Sequence, residues 1–218
     1  MSTEADTAPA TDPKKQLDRG LEELGLELDR SARKRLLAFA ELLEKWNRVY
    51  NLTGIRGADQ IVSGHLLDCL AIVPHIASTG RALDVGSGAG FPGIPLAIAR
   101  PRLQVTLLDS NQKKAAFLRQ AVGELQLDNA TVIEDRVEAW QPQEKFDVIV
   151  SRALTDTGEF VRWSRHLLAP GGVFAAMKGV VPGDELVGLP QGYRLHDTVR
   201  LSVPGLEAQR HLILVERA

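Results

Sequence analysis

The sequence predicts an α/β fold, a seven-stranded, mostly parallel sheet preceded by an N-terminal helical extension. Three observations predict it. From residue 81 onward, short apolar runs alternate with helical patterns, as in a parallel sheet covered on both faces. The first run passes straight into Gly86, Gly88 and Gly90, and the second ends on Asp109. Tyr193 to Leu201 and His211 to Glu216 are separated by Pro204-Gly205 and no crossover helix, so they read as an antiparallel pair added to the sheet. Seven strands with that ending differ from the six-stranded dinucleotide fold.

Taken in order, residues 1–13 are small, polar and proline-containing, and are expected to form a disordered tail. Leu17, Leu21, Leu24 and Leu28 mark one face of a first helix. Ser31 is the expected cap of a second, which carries Leu36, Leu37, Ala40, Leu43 and Trp46 and runs to about Val49. Asn51 to Gly57 is a break, and Ile61 to Ile76 is again helical. Residues 14–80 are thus a helical extension, and 81–218 the sheet domain. In the latter, strands are expected at 82–85, 104–108, 130–133, 146–150 and 172–177, and helices at 93–99, 111–125, 137–140 and 158–168.

The bulk composition excludes several classes. The 218 residues, 44% hydrophobic and 25% charged, suit one ordinary globular domain with a small extension. A net charge of −2 gives no general attraction to polyanions, so any nucleic-acid contact must come from a local basic patch. Cys69 is the single cysteine, which rules out an intrachain disulfide and cysteine-rich zinc patterns; it reads as core, and no metal site is expected. No apolar run reaches membrane-spanning length, and the first ten residues lack a signal peptide's basic stub and apolar core. A cytoplasmic monomer with no membrane partner is therefore expected.

The glycine turn and Asp109 together make a site for an adenosine nucleoside, one strand–helix–strand unit apart. The spacing argues against a pyrophosphate. A third glycine would fall at residue 91, which is Phe91, and no lysine followed by serine or threonine closes the turn. A sulfonium cofactor such as S-adenosylmethionine carries no phosphate. It needs backbone room for its amino-acid part, an acid for the ribose hydroxyls and an apolar slot for adenine. Asp109 can accept two ribose hydrogen bonds, and Val137 can wall the adenine. Glu138 in the same turn reads equally as a ligand or as a solvated first-turn acid. Asp84, inside a buried run, needs partners; it can orient the glycine turn or face the cofactor's ammonium through water.

Longer runs carry a resemblance. Val49-Tyr-Asn-Leu-Thr-Gly-Ile-Arg56, His65-Leu-Leu-Asp-Cys69, Asp84 to Pro95, Arg136-Val-Glu138, Ser151-Arg-Ala153, Lys178-Gly179 and Arg210-His211 resemble the bacterial small-subunit ribosomal RNA guanine-N7 methyltransferases, the glucose-inhibited division protein B family. The likeness spans about residue 15 to the end. It implies a Rossmann-like class I S-adenosylmethionine-dependent methyltransferase fold and, as substrate, guanine 527 in the 530 loop of 16S rRNA, alone or within a small subunit or assembly intermediate. Gly86, Phe91, Val137, Glu138 and Arg152 are the cofactor positions carried over, with Asp109 in the usual ribose-binding place and Gly88 and Gly90 completing the turn.

The residues agree with that chemistry. Guanine N7 already has an in-plane lone pair, so no base is needed to create the nucleophile. An amine target would call for an Asn-Pro-Pro-Tyr turn after the fourth strand, where Val150-Ser-Arg-Ala-Leu154 stands instead. Arg152 is the positioning candidate, through the cofactor's methionine end or guanine O6, and could also be a salt bridge of the fold. No catalytic base is assigned. RNA-contact candidates are Arg30, Arg33, Lys34, Arg35, Lys45 and Arg48 along the second helix, with Lys178, Arg210 and His211 at the sheet edge. The basic helix reads equally as a solvated face. The alternatives are a small-molecule methyltransferase and a noncatalytic RNA-binding assembly protein.

Overall fold

The computed structural model describes residues 12–55, 57–152, 156–181 and 188–218. Residues 1–11 of the expected tail, Arg56, and Ala153 and Leu154 of the quoted motifs lie outside the described residues.

Helix α1 (Pro13–Glu23) starts on Asp12, whose side chain accepts the Lys14 N–H, with Pro13 at the first position. It ends earlier than the leucine spacing predicts. Leu26 N–H donates to Leu21 O (2.9 Å) and Gly25 N–H to Glu22 O (3.0 Å), a left-handed closure with Gly25 at φ +63°. Leu24 and Leu28 therefore reach the core from the connection rather than from the helix.

Helix α2 (Arg30–Tyr50) is capped by Asp29, which accepts the Ala32 N–H at 2.7 Å, and not by Ser31, which lies within the first turn. Docking of α1 selects the earlier start, because Arg33 reaches back to Leu28 O and Asp18 and fixes the entering chain. The apolar face of α2 buries Leu36, Phe39, Ala40 and Leu43. Each of the leucines and Phe39 contributes about 1.5–3 kcal/mol by leaving water, and Ala40 less. Asn51 ends the helix in the left-handed region at φ 49°.

The predicted single helix over 61–76 is broken into short pieces: α3 (Ala58–Ile61), a π turn at Val62–Leu66, α4 (Leu67–Leu70) and a 3-10 turn at Val73–His75. A π turn inserts one residue and re-aims what it carries. Here it carries His65.

The seven strands are β1 (Gly80–Val85), β2 (Leu103–Leu108), β3 (Ala130–Ile133), β4 (Phe146–Arg152), β5 (Leu168–Lys178), β6 (Tyr193–Leu201) and β7 (Arg210–Arg217). Their order is β3-β2-β1-β4-β5-β7-β6, parallel through β5, with β7 antiparallel to both neighbours. Helices α5 (Gly93–Ala99), α6 (Gln112–Glu124) and α7 (Thr157–Ser164) make the crossovers. The expected helix at 137–140 is a single turn closed by Ala139 and Trp140 N–H on Arg136 O; Pro142 prevents propagation. The expected helix at 158–168 stops at Ser164, and β5 begins at Leu168 rather than 172.

One core cluster runs without a break from Leu17 and Phe39 in the helical extension to Ala82, Leu107 and Leu212 of the sheet. Phe39 meets the rings of Phe91 (5.2 Å) and Phe117 (6.4 Å). A second cluster, with Leu83, Ile149, Phe160 and Phe174, fills the opposite face. Strand β1 lies between β2 and β4, so the crossovers diverge there and open a crevice at the carboxyl ends of the strands.

Candidate active site

Strand β1 delivers the chain into the crevice as a glycine turn, with φ of +70°, +58° and +88° at Gly86, Gly88 and Gly90. The glycines serve different ends. A Cβ at Gly86 would meet nothing within 4 Å, so this backbone is open to close approach. At Gly90 it would lie 2.6 Å from Ile94 Cδ1 and 3.1 Å from Phe39 Cζ, so that glycine serves packing. Asp109, just past β2, ties the turn down: Oδ2 accepts Gly88 N–H (2.9 Å) and Oδ1 accepts Asn111 N–H (2.8 Å). Two of the carboxylate's four lone-pair sites remain for other donors.

A cavity of about 210 Å³ opens beside this junction, with Gly86, Asp109, Ser110, Val137, Glu138 and Trp163 in its lining. Beneath the turn, Asp84 is fully buried. Its Oδ2 accepts Gly93 N–H (2.9 Å), while Oδ1 has no partner among the described residues. Burial pushes its carboxyl up to about 7, partly offset by hydrogen bonds from Ser87 and Gly93. An orphaned acceptor at that place favours a cation or donor nearby.

A second cavity, of about 420 Å³, lies at the ends of β4, β5 and β7. Arg152, Lys178, Arg210 and His211 all line it, as do His65 and Asp68. Asp68 is buried between two arginines: Arg210 Nε donates to Oδ1 (3.1 Å), and Arg152 Nη1 lies 3.5 Å from Oδ2. Burial raises the Asp68 carboxyl, and Arg152 and Arg210 offset this in part. Arg152 Nη1 also donates to His65 Nδ1 (2.9 Å), and its guanidinium sits 4.7 Å from the Phe91 ring centroid. Because Nδ1 accepts, His65 is neutral with its proton on Nε2, which donates to Thr53 Oγ1 (2.7 Å). Burial, then the Arg152 charge, lower its pKa to about 4. Thr53 N–H in turn donates to Asn47 Oδ1 (2.9 Å), and Asn47 Nδ2 donates to Ile55 O (3.0 Å).

The residues proposed from sequence thus divide. Gly86, Asp109, Val137 and Glu138 line the first cavity. Gly88, Gly90 and Phe91 are not in its lining; Phe91 is buried against Phe39, His65 and Arg152. Arg152, Lys178, Arg210 and His211, distant in sequence, converge on the second cavity. Along α2, Arg30, Lys34, Lys45 and Arg48 are exposed and Arg35 is partly so. Arg33 bridges to Asp18, and Arg48 pairs with Glu44. The sequence reading assigned no role to Asn47, Thr53, His65, Asp68 or Trp163. One signal was present: His65 and Asp68, three apart in an otherwise apolar run, share a helical face.

The family model for rRNA small subunit methyltransferase G (GidB) matches residues 32–213. A protein of Chromobacterium violaceum named ribosomal RNA small subunit methyltransferase G is 54% identical over 91% of this chain and 95% of its own length. Proteins of that name from Neisseria meningitidis serogroup A (48% identical, over 94% of this chain and 98% of theirs) and Pseudomonas paraeruginosa (50%, 93% and 94%) are similar too. Among solved structures, the glycopeptide N-methyltransferase MtfA with S-adenosyl-L-homocysteine matches at a TM-score of 0.61 and 13% identity, over 71% of this chain and 87% of that one. TrmN from Thermus thermophilus matches at 0.53 and 19%, over 72% and 53%. These likenesses are of fold.

Proposed function

The chain belongs to the rRNA small subunit methyltransferase G family, and from that premise we propose that it methylates N7 of guanine 527 in the 530 loop of 16S rRNA. It is an S-adenosylmethionine-dependent rRNA methyltransferase. The observation that carries the reading is the meeting of the open Gly86 backbone and the Asp109 carboxylate around one cavity that Val137 and Trp163 also line.

The residues present fit the cofactor. Asp109 has lone pairs left for ribose hydroxyls, Val137 and Trp163 offer apolar surface to adenine, and Gly86 gives backbone access to the amino-acid end. Asp84, fully buried behind the turn, orients the glycine turn or faces the ammonium through water. Bound there, S-adenosylmethionine supplies a methyl on a positively charged sulfur. The protein's task is then alignment: N7 needs no deprotonation, and holding two reactants in line lowers the barrier by avoiding their entropy loss during reaction. Residues 81–218 carry this site, and 14–80 supply RNA contact through the exposed Arg30, Lys34 and Lys45. The substrate is 16S rRNA in the cytoplasm, within a small subunit or assembly intermediate, and the enzyme acts as a monomer. No described helix is long and apolar enough to cross a membrane.

The test is to map N7-methylguanine in 16S rRNA from cells with and without the gene, then restore it with purified protein and labelled cofactor. Loss and recovery at nucleotide 527 is expected. A mark that persists without the gene overturns the reading.

A further inference from the structure

We propose that the second cavity receives the acceptor nucleoside and that His65 is the positioning residue that sets Arg152 against it. The proposal rests on the guanine reading above and adds where the base sits and what aligns it.

The cavity adjoins the cofactor site by construction. Asp84 pairs with Val150 across β1 and β4, so Gly86 and Arg152 emerge side by side, each two residues further on. The larger cavity, about 420 Å³, is of the size that holds a small-molecule ligand. Ile55, Met177 and Leu201 offer apolar surface to the faces of a base. Arg152, Lys178 and Arg210 carry positive charge there, and among the lining residues only Asp68 is acidic. That balance suits a nucleotide, whose phosphate is anionic and whose guanine edge presents O6 and N7 as acceptors. Arg152 takes O6 in this assignment, because a donor on N7 would occupy the attacking lone pair.

An arginine useful for alignment must be held still, since its long side chain otherwise has rotamer freedom to lose on binding. Three groups hold this one: the Asp68 carboxylate, the Phe91 ring face and His65 Nδ1. Of these, His65 supplies a directional lone pair, and its own orientation is fixed by Thr53 and, behind it, Asn47. The helical extension therefore aligns a residue of the sheet through a chain of three hydrogen bonds.

The test uses labelled S-adenosylmethionine and undermethylated small subunits with His65→Ala, His65→Asn and His65→Gln, and reads kcat, KM, cofactor Kd and melting temperature together. Asparagine places an oxygen where Nδ1 stands; glutamine restores only the Nε2 end. His65→Ala is expected to lower kcat at least tenfold with cofactor Kd within twofold, His65→Asn to recover most of it, and His65→Gln to recover little. Equal behaviour of the three, or losses confined to cofactor affinity or melting temperature, overturns the positioning role. Ile55→Trp, which fills the cavity from a loop, is expected to abolish methylation while leaving cofactor affinity unchanged; normal turnover in that variant overturns the cavity's assignment. Wild-type product analysis stands apart from these. A methyl found on another atom would remove the guanine-N7 reading while leaving the His65 comparison interpretable.

Discussion

Asp68 is a tightly constrained charge. It is buried against two arginines from β4 and β7. Removing one partner of a buried ion pair leaves the other charges without compensation, at about 3–5 kcal/mol. Asp68→Ala is therefore expected to lower stability by about that amount in urea denaturation, and Asp68→Asn by less, because an amide oxygen can still accept from one arginine. Asp109 lines the other cavity. Asp109→Ala removes an ionised acceptor and releases the Gly88 and Asn111 amides, so cofactor affinity should fall about 10–100-fold, consistent with about 1.5–3 kcal/mol for a hydrogen bond to a charge. Calorimetric titration checks this, and an unchanged Kd would remove Asp109 from the site. Both Asp109 and the glycine turn were legible in the sequence, because a turn with positive φ and an acid after an apolar run are local patterns. His65 and Asp68 were visible only as polar residues in an apolar run. Their partner Arg152 is 87 residues beyond His65, a juxtaposition that periodicity does not encode.

Element type was read correctly where a regular period ran long: α2, α6 and the strands of the sheet, including the antiparallel pair at the end. The errors fall where tertiary contact overrides local preference. The stretch 61–76 has a helical apolar pattern, yet it is interrupted by the π turn that aims His65 at Thr53 and Arg152. Likewise Val137 and Glu138 stand in a turn stopped by Pro142, and that turn leaves them on the cavity wall. Helix α2 has 21 residues, hence is about 30 Å long, and presents Arg30, Lys34 and Lys45 to solvent. If this ridge follows a phosphate backbone, Lys34→Ala with Lys45→Ala should reduce the slope of log affinity against log salt by about two, since each lost phosphate contact removes about one counterion. Cofactor affinity should not change. An unaltered slope on small subunits would make the ridge an ordinary wet face.

At the scale of the whole molecule, two groups, the half-buried His65 and the buried Asp84, set opposing responses to acid. His65 titrates near 4 when folded and 6.5 when unfolded, so between those values the unfolded chain takes a proton that the folded one refuses. Stability falls as pH drops through that window, by about 3 kcal/mol. Asp84 titrates near 7 when folded and 3.8 when unfolded. Its folded form holds a proton that the unfolded chain releases, so stability rises as pH falls from about 7 to 3.8, by about 4 kcal/mol. Asp109 raises the Asp84 value and Arg152 lowers it, so the two groups share a neighbour. Asp84→Asn should expose the His65 response. Relative to wild type, its melting temperature should drop by on the order of 10 °C more between pH 6.5 and 4. Addition of His65→Gln should remove the excess. Parallel curves for wild type and Asp84→Asn would show that these groups do not dominate.

The unbroken core bears on how this enzyme can be dissected. Phe39 of α2 is wedged between Phe91, at the foot of the glycine turn, and Phe117 of α6. A fragment beginning at residue 80 would keep every strand and lose that wedge, leaving a wide oily surface beneath the glycine turn. Anyone seeking a minimal catalytic piece should expect inclusion bodies from such a fragment.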